Sequence, residues 1–102
     1  MATLKQLLEA LHEDTKTSTA EGIKAACELI IDVQRMNSGE RDCIYAAYKN
    51  GPLFDGDLPS KAGRNSLLEN GYIAKVVVKG EDGYNACTYK GAWAHRLLEA
   101  GA

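Results

Sequence analysis

Leu4, Leu7, Leu8 and Leu11 follow one another at helical spacing, and Thr3 with Gln6 three residues on has the make-up of a capping box. The pattern predicts an amphipathic helix of about three turns. The polar run Glu13-Asp-Thr-Lys-Thr-Ser18 interrupts it, and Ser18 with Glu21 repeats the capping arrangement ahead of a second stripe, Ile23, Ala26, Cys27, Ile30 and Ile31. Asn37 and Glu40 open a third helix with Cys43, Ile44, Ala47 and Tyr48 expected inward, and Asn50-Gly51-Pro52 closes it by a glycine stop followed by a residue that cannot continue. In the next stretch Leu53 and Phe54 are expected as core plugs, while Gly56 between Asp55 and Asp57 leaves little room for a regular helix. Pro59 at a first helical position starts a fourth helix, residues 59–70, which Asn70-Gly71 closes with a left-handed cap.

The period then changes. Tyr72-Ile-Ala-Lys-Val-Val-Val-Lys79 is rich in β-branched and aromatic residues, Gly80-Glu-Asp-Gly83 is a turn sequence, and Tyr84-Asn-Ala-Cys-Thr-Tyr89 returns, so a β-hairpin is expected. Thr88 is placed to cap a last helix whose apolar stripe is Trp93, Ala94, Leu97 and Leu98 before Gly101. The fold class is mostly α with a β-hairpin: two amphipathic helices over residues 1–36, then a helix, loop, helix, hairpin and helix over residues 37–102.

That order, with Leu67-Leu-Glu-Asn-Gly-Tyr-Ile73, the hairpin, and Cys87-Thr-Tyr-Lys-Gly91 closing it, resembles the winged helix-turn-helix superfamily over about residues 37–100. The resemblance implies a winged-helix domain that inserts a recognition helix, residues 59–70, into the major groove of duplex DNA and sets its wing against the flanking backbone. A small DNA-binding regulator is therefore the leading expectation. The alternative is a protein-binding adaptor or inhibitor that has kept the fold without groove contacts, as superfamily members also use it to bind proteins.

Carried onto this sequence, the groove-facing residues are Ser60, Lys61, Arg64 and Asn65, with Lys75, Lys79 and Lys90 as wing or phosphate contacts. Arginine forks onto guanine, asparagine onto adenine, and lysine and serine anchor phosphates. Helical phase leaves a second role open for Arg64. It falls between the buried directions of Leu67 and Leu68, where it would be a partly buried partner of Asp55 or Asp57. Lysines on an edge strand also serve to block strand-to-strand aggregation.

Charge changes the picture. The 102 residues carry a formal net charge of -2, and only residues 59–102 are positive, with six basic against four acidic groups. Phosphate neutralisation supplies most DNA affinity, so an excess this small implies weak binding per subunit unless a dimer doubles it. The N-terminal helix pair is either a homodimerisation arm or a cover for the core, because two helices this short cannot bury their apolar faces alone.

Cys27, Cys43 and Cys87 are widely spaced and far from His12 and His95, so no metal site or cofactor is expected and each cysteine is read as a small apolar residue in a reducing compartment. No nucleophile motif, phosphate loop or histidine-anchored acid–base pair is present, and the chain is not expected to be an enzyme. No uncharged stretch is long enough for a bilayer and Met1 to Ala10 lacks a signal-peptide pattern, which places the expectation in the cytoplasm with no membrane partner.

Overall fold

The computed structural model describes residues 2–11, 19–77, 79–80 and 83–102. The chain is mostly helical with one antiparallel hairpin, and it divides into two units, residues 1–36 with 93–102, and residues 37–92.

In the first unit, α1 (Leu4–Ala10) starts at a complete capping box. Gln6 N–H donates to Thr3 Oγ1 at 3.2 Å and Thr3 N–H to Gln6 Oε1 at 2.8 Å. α2 (Ala20–Gln34) is capped by Thr19, which accepts from Gly22 N–H at 3.0 Å; Ser18, the expected cap, lies outside the described residues. The buried row of α2 is Ala26, Leu29, Ile30 and Val33. Ile23 and Ile31, expected inward, are exposed, so the buried arc is turned away from the expected one. Leu4 is exposed as well, while Leu7 and Leu11 are fully buried. The helix α5 (Tyr89–Glu99) gives this unit the buried Ala94, Leu97 and Leu98, then ends with Ala102 N–H on the Leu97 carbonyl around Gly101, φ +101°.

In the second unit, α3 (Ser38–Asn50) opens with the Asn37–Glu40 capping box and buries Cys43, Ile44 and Ala47. Tyr48 points out to solvent instead of joining them. Leu53 then bridges Asn85, exchanging backbone hydrogen bonds of 3.0 and 2.7 Å, and a single 3-10 turn (Asp55–Asp57) follows. Phe54 is no core plug; it is exposed, with its ring 4.5 Å from that of Tyr84, and Leu58 is the buried residue here.

The helix α4 (Lys61–Glu69) begins two residues after Pro59, because Ser60 supplies the cap: its Oγ accepts from Gly63 N–H at 3.0 Å. At the other end Tyr72 N–H reaches the Leu67 carbonyl at 2.9 Å and Gly71 N–H the Leu68 carbonyl at 3.3 Å, around Gly71 at φ +80°. This six-to-one and five-to-two pair of bonds needs a left-handed residue, and the sequence provides glycine. The hairpin pairs β1 (Ile73–Val76) with β2 (Tyr84–Cys87), in register Ile73 to Cys87 and Val76 to Tyr84. Both strands are shorter than expected. Thr88 leaves β2 to cap α5, so Tyr89 is helical and 84% exposed.

Candidate functional site

Asp55 is the centre of the surface formed by α4 and the hairpin. The 3-10 turn holds its backbone, and its carboxylate faces three donors at once. Asn85 Nδ2 donates to Oδ1 at 2.6 Å, Lys75 Nζ to Oδ2 at 2.9 Å, and Arg64 Nη1 lies 3.4 Å from Oδ2. Asn85 is fully buried on β2 and also donates to the Leu53 carbonyl at 3.2 Å. The Asn85 bond, then the Lys75 bond, and more weakly the positive charge of Arg64 hold the Asp55 carboxyl below the usual carboxylate range.

The remaining residues expected to meet DNA are placed as follows. Ser60 uses its hydroxyl for the α4 cap, and its carbonyl accepts from Cys43 Sγ at 3.3 Å. Arg64, with a side chain only 15% exposed, also donates through Nε and Nη2 to Asn65 Oδ1 at 3.2 and 2.9 Å. Lys90 Nζ donates to the Asn70 carbonyl at 2.9 Å and sits 4.4 Å from the centre of the Tyr72 ring, closing the end of α4. Lys61 and Lys79 are exposed and make no ion pair among the described residues. The set therefore splits: Arg64 and Lys75 converge on one carboxylate, Ser60 and Lys90 cap helix ends, and Lys61, Lys79 and the outer side of Asn65 are exposed with no ion pair among the described residues.

A second feature of this unit is a groove of about 540 Å³ lined by Ala47, Tyr48, Pro52, Ala86, Tyr89 and Ala92, with the thiol of Cys87 in its wall. No charged side chain lines it. Its lining is mostly small residues, together with the two exposed tyrosines Tyr48 and Tyr89. Burial pushes the Cys87 thiol up to about 11, so the group is a neutral, weakly polar part of the wall. Sequence reasoning misses this groove. Tyr48 follows the apolar row of α3 closely enough to be taken for core, and Tyr89 follows a strand closely enough to be taken for wing.

Among the described residues no three or more His, Cys, Asp or Glu side chains come together as a metal site, and no helix is long and apolar enough to cross a membrane. Neither the family models, nor the curated proteins, nor the solved structures contain a match to this chain.

Proposed function

We propose that this chain is a protein-binding module of the adaptor or inhibitor kind, taking an apolar segment of its partner in the groove between the C-terminal end of α3 and the β2–α5 junction. The observation that carries this reading is the internal pairing of the surface that would otherwise meet DNA: Asp55 holds both Arg64 and Lys75, one negative charge shared by two positive. Residues 37–92 carry seven acidic and seven basic side chains, so no surplus of positive charge remains to attract a phosphate backbone. The groove has the opposite character. It is uncharged and lined by small side chains and by tyrosine, a residue enriched where protein surfaces bury one another.

One observation favours a second reading. Lys61 and Asn65 remain exposed on the first two turns of α4, where a winged-helix protein would address the major groove. Two experiments separate the readings. Selection from a displayed peptide library is expected to enrich sequences with an aromatic or aliphatic anchor, whose binding is lost in Tyr89→Ala and Ala92→Asp and kept in Lys61→Ala. Mixed-sequence duplex DNA is expected to show no retention at low ionic strength. Salt-dependent retention that disappears in Lys61→Ala, with no enriched peptide, overturns the proposal in favour of DNA.

A further inference from the structure

The part of α2 turned away from its buried row carries Ile23, Cys27 and Ile31, the two isoleucines 42% and 44% exposed. At about 100° per residue these three span roughly 80° of arc, and Ala20 and Gln34 fall inside it. One border of this apolar strip is the buried row. The other is a row of exposed charge, Glu21, Lys24, Glu28 and Arg35, spread over about the next 80°. None of these four makes an ion pair among the described residues.

We propose that this strip is a homodimer interface, in which α2 lies antiparallel against α2 of a second copy with the two-fold axis beside Cys27. In such a pair the same edge of each helix meets its copy, and a residue a given number of places before Cys27 lies level with one the same number after it. Ile23 is then level with Ile31 of the second copy, and Ala20 with Gln34. Along the charged edge, Lys24 comes within about 3 Å of axial offset from Glu28 of the second copy, and Glu21 within about 3 Å from Arg35. Each cation of the row meets an anion, and symmetry forms both pairs twice. Glu28 has the same axial offset from Glu28 of the second copy, but Lys24, nearer the strip, stands closer to it across the pair. A parallel pairing would turn the charged edge towards the partner's apolar border and leave it without opposite charge. The order of charges selects a second copy of this chain as the occupant, in the antiparallel sense.

A single helix pair buries less area than an obligate dimer, so the association is a concentration-dependent equilibrium. Sedimentation of the full chain in reducing buffer is expected to move from monomer to dimer as concentration rises. Lys24→Glu and Glu28→Lys, each on the exposed edge, are expected to hold the chain monomeric where the parent is dimeric, and the K24E/E28K double variant to restore the dimer. Ile31→Lys should abolish it without rescue.

Helix axes 8–10 Å apart place the facing Cys27 Cα atoms roughly 3–5 Å apart, and the wider end of that range is within reach of a disulfide. Diamide, accepting two electrons and two protons as the two thiols form one S–S bond, is expected to trap a covalent dimer that Cys27→Ala cannot form. A chain that sediments as a monomer at every concentration, or a dimer that ignores the single charge reversals, overturns the proposal.

Discussion

Asn85 Nδ2 and Asp55 Oδ1 lie 2.6 Å apart, a bond that joins the middle of β2 to the 3-10 turn 30 residues earlier. The turn has only three residues and no side-chain cap of its own, so this bond and the Leu53–Asn85 bridge hold it against the hairpin. With one carboxylate oxygen fixed by Asn85, the other is aimed at Lys75 and Arg64. A buried amide thus anchors the carboxylate that Lys75 and Arg64 share.

Asp55 has its folded pKa below the unfolded one, so its contribution to stability is present above the ordinary carboxylate value, about 4, and is lost as pH falls through the folded value. Asp55→Asn is expected to lower the thermal midpoint near neutral pH, and the gap from the parent should close progressively below about pH 4. Paired thermal melts across the acid range measure this. A gap independent of pH would show that the charge of Asp55 contributes nothing.

The same carboxylate makes a prediction about DNA. Asp55→Ala removes the one anion that Arg64 and Lys75 share, leaving both cations unneutralised. Duplex retention at low ionic strength, expected to be absent in the parent, should appear in this variant and fall steeply as salt is added. Fluorescence anisotropy with a labelled mixed-sequence duplex checks it, with circular dichroism as the control for folding.

Gly63 lies against the backbone of Gly39, where the first turns of α4 and α3 meet. A Cβ on Gly63 would stand 2.6 Å from the Gly39 carbonyl and 2.9 Å from Glu40 N, both backbone atoms with little freedom to retreat. Alanine there is expected to destabilise by about 1–3 kcal/mol through overpacking, offset in part by about 1 kcal/mol of better helix propensity. Gly56, where a Cβ would meet nothing within 4 Å and φ is not positive, is the control and should tolerate alanine. Urea midpoints at unchanged slope give both values.

Thr88 connects three elements through one hydroxyl. Its Oγ1 donates to the Gly71 carbonyl at 2.6 Å, lies 3.1 Å from that of Tyr72, and accepts from Gly91 N–H at 3.2 Å. Thr88→Ala removes the α5 cap and a bond to the end of α4, and is expected to cost about 1–2 kcal/mol, while Thr88→Ser keeps most of it. The difference between the two variants in urea denaturation isolates the hydroxyl from the methyl group.

What the sequence reveals and what it hides follows from range. The capping boxes at Thr3 and Asn37, the left-handed stop at Gly71 and the cap at Thr88 are legible because each is settled within four residues. Pro59 misleads by two positions: proline suits a first turn, but Ser60 has the hydroxyl that reaches Gly63 N–H. Periodicity gives the width of an apolar stripe and not the direction it faces, which is why the pattern turns Ile23, Ile31 and Tyr48 inward while the fold exposes them. Arg64 shows how far phase can reach. Its angle between Leu67 and Leu68 indicates partial burial beside Asp55 or Asp57, and the structure selects Asp55. Nothing local marks Asn85 as the residue that fixes that choice.

The three cysteines provide the last prediction: Cys43 is buried, and the half-buried Cys27 and Cys87 differ in their surroundings. Cys87 has its thiol pushed up to about 11, so at pH 8 about one molecule in a thousand carries the thiolate there. Burial is the largest effect on Cys43 and raises its thiol too. Cys27 is half-buried on the outer strip of α2. A dilute, folded sample treated with an aromatic disulfide reagent at pH 8 is expected to lose one thiol quickly, with the other two following only in denaturant. Cys27→Ala should remove the fast phase and leave the slow ones unchanged. A fast phase that survives this substitution would mean that Cys87, in the wall of the α3–β2 groove, reacts as a thiolate, and that wall would then not be the neutral surface the groove offers a partner.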